Sequence, residues 1–195
     1  SDNGATWTLS NSGIDILDIR CMLVTSSKIY AGSSGGIYSS SDGGANWSLC
    51  GFANKRIYAM VELNNTIFSI NRNDWGGYKS IDGGVTWTFA GLDLLDVRSL
   101  HVVGNNIVAG VMGNDALYYS TDNGISWQHS TATYSDVTAF ETYGTDILAA
   151  SYDGIIKSAD YGLTWTFLYS LQVEDISANG GNLYAGTYGQ GVYYS

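Results

Sequence analysis

Short runs of apolar and β-branched residues, separated by turns rich in Gly, Asn and Asp, recur along this chain. One set of four runs is Ile19–Val24, Lys28–Ser33, Gly36–Ser40 and Asn46–Cys50. A later set is Val97–Val102, Asn106–Val111, Ala116–Ser120 and Ser126–Ser130. No stretch has the apolar period of about 3.6 residues that an amphipathic helix requires. The pattern therefore predicts antiparallel strands joined by tight turns, four strands to a unit.

One signature, Ser-x-Asp-x-Gly-x-x-Trp, marks the turn between the third and fourth strands of each unit. Its intact copies are Ser40/Asp42/Gly44/Trp47, Ser80/Asp82/Gly84/Trp87, Ser120/Asp122/Gly124/Trp127 and Ser158/Asp160/Gly162/Trp165. A fifth copy is divided between Ser195 at one end and Asp2, Gly4 and Trp7 at the other. The signature aspartates are 40, 40, 40 and 38 residues apart, and periods in this range are typical of propellers, solenoids and helical arrays.

The absence of helical patterning favours the propeller. We predict a single domain over residues 1–195, an all-β, five-bladed β-propeller of four-stranded antiparallel blades. Pairing of Asn3–Leu9, as the outer strand, with the three C-terminal strands is expected to close the ring and to remove two open sheet edges. The alternative is a piece of a longer array.

The signature residues are predicted to be structural. The Asp carboxylate can accept N–H groups of its own turn, and the Gly two residues on can adopt positive φ. The Trp, five residues after the Asp, can fill the gap towards a neighbouring blade. The structural set comprises Asp2, Trp7, Asp42, Trp47, Asp82, Trp87, Asp122, Trp127, Asp160 and Trp165.

These five hairpins resemble the Asp-box family, also called bacterial neuraminidase repeats. The resemblance implies a β-propeller with Asp-boxes on the rim of one face and ligand on the opposite face. Its members include sialidases, other glycoside hydrolases, lectins, sorting receptors and assembly factors, so the motif implies a fold and not a function. Sialidases have six blades and a Phe-Arg-Ile-Pro-like segment, whereas this chain has five repeats and no Pro.

Composition excludes several classes of partner. The net charge is −10, from 18 acidic and 8 basic residues, and such a surface repels nucleic acid. No apolar stretch reaches the roughly 20 residues that span a membrane. Cys21 and Cys50 take positions that hold Ala or Ser in other repeats and are predicted to be free. We expect an extracellular or exported monomer that neither binds nucleic acid nor inserts into membranes.

Charged residues are predicted around the mouth of the central channel, on the face opposite the Asp-boxes. The residues just before each first strand are Asp18, Arg56, Asp96, Asp136 and Asp175, and those two positions on are Arg20, Tyr58, Arg98, Thr138 and Ser177. This ring could form a polar funnel for a small sugar, a cation or a carboxylate. Alternatively, Arg20 and Arg98 simply pair with the neighbouring carboxylates.

The loops between second and third strands lie on the same face and vary in length. One contains Arg72, Asp74 and Trp75, and an aromatic ring beside Asn and Asp is typical of sugar binding. Tyr152 and Tyr188 occupy corresponding loops. The candidate ligand-binding residues are Trp75, Asp74, Arg72, Tyr58, Arg20, Arg98, Tyr152 and Tyr188.

No phosphate loop, metal-spaced Cys/His set or nucleophile elbow is present in the sequence, so we expect no catalytic residue, metal or cofactor. We predict a non-enzymatic binding or scaffold propeller that recognises glycan or protein. One alternative is a glycoside hydrolase that uses Asp96, Asp136 or Asp175 at the channel mouth. A second is an engineered or spacer propeller with no ligand.

Overall fold

A computed structural model describes residues 3–72, 76–114 and 116–195, and this part of the chain contains strands and no helix. The strands form five antiparallel sheets in chain order. Sheet 1 contains β1 (Ile19–Val24), β2 (Ile29–Ser33), β3 (Gly36–Ser40) and β4 (Ser48–Gly51). Sheet 2 contains β5 (Ile57–Leu63), β6 (Thr66–Asn71), β7 (Gly76–Ser80) and β8 (Thr88–Phe89). Sheet 3 contains β9 (Val97–Val103), β10 (Asn106–Val111), β11 (Leu117–Ser120) and β12 (Gln128–His129). Sheet 4 contains β13 (Ala139–Tyr143), β14 (Asp146–Ala150), β15 (Ile155–Ser158) and β16 (Thr166–Tyr169). Sheet 5 contains β17 (Val173–Asn179), β18 (Asn182–Thr187) and β19 (Gly191–Tyr194).

The core lies between consecutive sheets. The first strands β1, β5, β9, β13 and β17 contact one another in chain order. Second strands supply the buried surface: Tyr30, Phe68, Val108 and Leu148 hold equivalent positions, and each is at most 2% exposed. The predicted all-β architecture of antiparallel four-stranded sheets is thus confirmed for sheets 1 to 4.

The predicted ring closure, by contrast, is not confirmed by the described residues. Sheet 5 has three strands among the described residues, and Asn3–Leu9 forms no strand. Trp7 is 91% exposed. Hydrogen bonds fix the next segment on the hairpin of sheet 1 instead. Among them, Trp47 N donates to Ser12 O at 2.8 Å, and Trp47 Nε1 donates to Ser10 O at 3.1 Å. Asp2 lies outside the described residues.

The register of the fifth first strand also differs from the prediction. Ile176 pairs with Ala185 as Met22 pairs with Ala31, so Glu174 is the counterpart of Arg20 and Gln172 that of Asp18. Ser177 was predicted as the counterpart of Arg20 and Asp175 as that of Asp18, so both predictions were wrong by three residues. The first strand ends at Asn179 and a two-residue turn over Gly180 and Gly181, both with positive φ, follows it, as two-residue turns follow the first strands of sheets 2 to 4, so the strand lies three residues earlier than predicted.

The four intact signatures form the same hydrogen-bonded turn. Ser40 Oγ donates to Asp42 Oδ1 at 2.7 Å, Gly44 N donates to Ser40 Oγ at 2.9 Å, and Asn46 N donates to Asp42 Oδ1 at 2.9 Å. Equivalent bonds connect Ser80 with Asp82, Ser120 with Asp122 and Ser158 with Asp160. Each carboxylate therefore closes its own hairpin.

Candidate functional site

Three arginines surround one tyrosine where the first strands of sheets 1 to 3 begin. The ring of Tyr58 has the guanidinium carbon of Arg98 at 4.9 Å from its centroid, that of Arg20 at 5.2 Å and that of Arg72 at 5.4 Å. These distances are in the range of cation–π contacts. Together with Asp96, these four residues are called the Tyr58 cluster below.

Each member comes from a different place in the fold. Arg20, Tyr58 and Arg98 lie on β1, β5 and β9, which are neighbours, and they hold equivalent positions. Arg72 follows β6, and its Nη1 donates to Tyr58 Oη at 2.7 Å. The packing of first strands thus brings one side chain from each of sheets 1, 2 and 3 to the same point.

Asp96 holds two of the guanidinium groups. Its Oδ2 accepts from Arg98 Nη2 at 2.9 Å and lies 3.4 Å from Arg72 Nη2. Arg20 Nη2 donates to Asp18 Oδ2 at 2.7 Å, and Ser34 Oγ donates to the same carboxylate oxygen. The pairs Arg20–Asp18 and Arg98–Asp96, the structural alternative raised by the sequence, are therefore present, although each arginine side chain keeps between 25% and 31% of its surface exposed.

The cluster contains buried polar atoms without a hydrogen-bond partner among the described residues, and its three arginines outnumber its one aspartate. Asp96 Oδ1 and Arg98 Nε are buried and have no hydrogen-bond partner among the described residues. Burial raises the pKa of the Tyr58 phenol, but hydrogen bonds from Arg72 and Arg56 and the positive charge of Arg72 and Arg20 outweigh burial, so the pKa is lowered overall. The hydrogen bond to Tyr58 is also the main cause of the raised pKa of Arg72.

Acidic groups lie towards sheets 4 and 5. Burial raises the pKa of Tyr152, and the charge of Glu174 and a hydrogen bond with it raise this pKa further. Asp153 Oδ2 accepts from Ser135 N at 2.6 Å and from Ser135 Oγ at 2.8 Å. Asp136 Oδ1 accepts from Gly113 N at 2.6 Å. These two carboxylates therefore hold loops in place.

The structure thus brings Arg20, Tyr58, Arg72 and Arg98 together out of the predicted ligand residues. Tyr188 is separate from them on the loop between β18 and β19 and is 76% exposed. Trp75 and Asp74 lie outside the described residues. The sequence analysis did not identify Glu174 because of the register error. Val173 could have indicated the correct register, because Val173 is the buried counterpart of Val97 and Val137.

Within the described ranges, no group of three His, Cys, Asp or Glu side chains could hold a metal ion. Cys21 and Cys50 are free, and burial raises the pKa of Cys21 to about 12, which suppresses the nucleophilic thiolate. The Tyr58 cluster presents positively charged hydrogen-bond donors, the guanidinium groups of its three arginines.

Two family models match the sequence. The model described as the DUF6242 beta propeller domain matches residues 1–100, and the BNR/Asp-box repeat matches residues 118–129. The chain belongs to the DUF6242 β-propeller family, and the Asp-box resemblance is confirmed. No curated protein matches it.

Solved structures with the same fold include an ancestral GH74 enzyme, at 18% identity and a TM-score of 0.73, over 90% of this chain and 28% of that one. The extracellular domain of BT4673 from B. thetaiotaomicron has 17% identity and a TM-score of 0.73, over 92% and 26%. YCF48 bound to D1 peptide has 16% identity and a TM-score of 0.68, over 95% and 71%. The chain thus spans little more than a quarter of the first two proteins, and identities this low show the fold alone.

A search of the described residues for membrane-spanning helices found none that is both long and apolar enough.

Proposed function

We propose that this chain is a non-enzymatic binding propeller that recognises a carboxylate-bearing ligand, on an acidic glycan or a protein, through the Tyr58 cluster. The observation that carries the proposal is the approach of three guanidinium groups to one phenol ring. Like charges are costly to gather at a partly buried point, so such a cluster is typical of sites that bind an anion.

Arginine suits this task because its planar group donates two parallel hydrogen bonds to a carboxylate. Among the described residues, Asp18 pairs with Arg20, and Asp96 pairs with both Arg72 and Arg98. The rest of the protein repels anions, since the net charge is −10. A carboxylate ligand would therefore prefer this one location on the surface.

A glycan or peptide that carries the carboxylate would find aromatic surface nearby. Tyr152 is 38% exposed and lies in range of the Arg98 charge, which lowers its pKa against the other influences. Peptide binding on this fold has a precedent in YCF48 bound to D1 peptide, and BT4673 supplies an extracellular example. We extend the proposal to an exported location for this chain.

The glycoside hydrolase alternative has less support. Two carboxyl groups free to act as acid and base would be needed. Asp136 accepts a hydrogen bond from Gly113 N, Asp175 accepts one from Ile176 N, and Asp96 neutralises arginines.

An array that compares acidic glycans with their neutral parents, and acidic peptides with their amidated forms, tests the proposal. We expect binding to acidic members, and we expect Arg98→Ala and Arg72→Ala to weaken it about tenfold or more, as loss of a charged hydrogen bond implies. Lys157→Ala is the matched control, because Lys157 pairs with Asp146 on sheet 4 away from the cluster. Equal binding to neutral members, or equal loss in the control, would reject the carboxylate site.

A further inference from the structure

An apolar cavity of about 370 Å³ opens between the outer part of sheet 4 and sheet 5. Leu168 and Tyr169 of β16 line one side, and Leu183, Ala185 and Tyr193 of sheet 5 line the other. This space is called the terminal cavity below.

The other sheets show what such a space holds. In sheet 1, the indole of Trp47 packs against Ala31, Tyr38 and Ile29. Ala31 pairs with Tyr38 across β2 and β3, and Ala185 pairs with Tyr193 across β18 and β19. Leu183 stands two residues before Ala185, as Ile29 stands two residues before Ala31. The residues that surround Trp47 therefore have their counterparts in the wall of the terminal cavity.

Two of the signature tryptophans also share the position of their hydrogen-bond acceptor, whereas Trp165 Nε1 donates to Gly162 O of its own hairpin. Trp87 Nε1 donates to Cys50 O at 3.3 Å, and Trp127 Nε1 donates to Ala90 O at 2.7 Å. Each acceptor lies three residues after the tryptophan of the preceding sheet. The residue three after Trp165 is Leu168, which lines the terminal cavity. The cavity is thus shaped for the tryptophan of an Asp-box strand.

One Asp-box segment of the chain pairs with no described sheet. Residues 3–9 belong to no sheet, Trp7 is 91% exposed and Leu9 is 84% exposed. The strand that would receive it is β19, which pairs with β18 on one side, and no described strand pairs with its other side. The register of β3 with β4 would place Leu9 opposite Tyr193 and Thr8 opposite Tyr194.

The two end sheets of the series expose matching surfaces. On sheet 5, Tyr184 is 39% exposed, whereas its counterpart Tyr30 is 1% exposed under sheet 2. On sheet 1, Met22 is 54% exposed, whereas its counterpart Met60 is 6% exposed. A second molecule can cover both surfaces by repeating the packing between consecutive sheets. Within one chain, the close contacts among the described first strands run only between consecutive sheets, so sheet 1 does not cover sheet 5.

We propose that residues 3–9 of a second copy of this chain dock on β19, with their Trp7 in the terminal cavity, while the first sheet of that copy packs on sheet 5. The association is head to tail, because the donor segment and the acceptor cavity lie at opposite ends. It replaces the monomer that the sequence suggested, and it does not depend on the Tyr58 cluster.

Disulfide trapping between two differently tagged chains tests the proposal. Cys21→Ala and Cys50→Ala remove the native thiols, and Ala59 and Ala90 already hold these positions in sheet 2. One chain then carries Thr8→Cys and the other Tyr194→Cys, since facing residues of paired strands are close enough for a disulfide. We expect a cross-linked heterodimer, with a yield that falls about tenfold or more when the Thr8→Cys chain also carries Trp7→Ala.

The matched control carries Lys79→Cys in place of Tyr194→Cys. Lys79 holds in sheet 2 the position that Tyr194 holds in sheet 5, but it already pairs with Thr88 of β8. A yield equal to this control would overturn the proposal. A chain that carries both Thr8→Cys and Tyr194→Cys separates the remaining outcomes. Cross-linked oligomers support docking between copies, and a cross-link confined to single chains would assign the cavity to the chain's own segment and overturn it.

Discussion

Trp127 of sheet 3 donates its indole N–H to the carbonyl oxygen of Ala90 of sheet 2, at 2.7 Å. The bond ties the hairpin of one sheet to the outer edge of the sheet before it. Trp87 repeats the arrangement with Cys50, whereas Trp47 donates to Ser10, which belongs to no sheet, and Trp165 donates to Gly162 of its own hairpin. The tryptophans of sheets 2 and 3 therefore connect consecutive sheets, and the aspartate of the same signature holds the hairpin that presents each of them.

Trp47→Ala is expected to lower the free energy of unfolding by about 3–5 kcal/mol, because a large side chain that is only 7% exposed leaves a cavity. Trp7→Ala is the matched control within the same signature. Since Trp7 is 91% exposed, its removal from the isolated chain should change stability by less than about 0.5 kcal/mol. Urea unfolding of dilute samples measures both. Equal losses would mean that Trp7 is packed as its counterparts are.

Gly124→Ala should destabilise the protein more than Gly144→Ala. Both glycines have positive φ, of 68° and 64°, so both changes carry the same backbone strain of about 1 kcal/mol. A Cβ at Gly124 would also meet the ring of Phe68 at 2.3 Å, whereas a Cβ at Gly144 would meet nothing within 4 Å. Thermal unfolding of the two variants compares these costs. Equal unfolding temperatures for the two variants would show that the Phe68 ring of sheet 2 moves aside without a cost in stability.

Acid should weaken the protein through the Asp-box carboxylates. The Asn46 backbone N–H holds the pKa of Asp42 at about 2, and the Ser126 hydroxyl is the main cause of a pKa of about 2 for Asp122. Because these values lie below the unfolded value of 3.8, the stabilisation is complete above about pH 4 and is lost as the pH falls towards 2. Urea midpoints measured across this range test the expectation.

Asp122→Asn provides the comparison for that titration. The variant should be less stable at neutral pH, because the amide cannot replace both carboxylate acceptors. Its stability should then fall less steeply between pH 4 and pH 2, since one depressed pKa has been removed. A slope identical to that of the parent would mean that other acidic groups govern acid unfolding.

Arg72→Ala should raise the pKa of Tyr58. Arg72 supplies the foremost of the influences that lower it, a hydrogen bond from Nη1 to the phenol oxygen at 2.7 Å. NMR titration of carbon-labelled tyrosine reports the phenol, and Tyr58→Phe assigns its signal. Lys157→Ala should leave the titration unchanged. A Tyr58 pKa that does not respond to Arg72→Ala would show that the two side chains do not form this bond in solution.

The sequence predicted most of the architecture because its cause is local and repeated. Each signature forms its turn from bonds within five residues, as Ser120, Asp122 and Gly124 show. Four strands per unit follow from the same turns. The membership of Arg20, Tyr58 and Arg98 in one site could also be predicted, because they share a register position on neighbouring strands.

The parts that the sequence did not reveal depend on longer distances. Whether Trp7 reaches β19 depends on the rotation between each pair of consecutive sheets, added over all five sheets. No local sequence pattern determines this total rotation. The position of Glu174 depended on where one two-residue turn begins. The contact of Arg72 with Asp96 joins a loop of sheet 2 to the entry of sheet 3, so it becomes visible only when the sheets are packed.

The most direct test of the proposed carboxylate site is an NMR titration of the arginine Nε–H signals with glucuronate, and with glucose as the neutral control. The account predicts that the signals of Arg72 and Arg98 shift with glucuronate and not with glucose. In the variant Arg98→Ala, the Arg72 signal should no longer shift with glucuronate. Shifts that glucose produces equally, or arginine signals that ignore glucuronate while it binds elsewhere, would contradict the account.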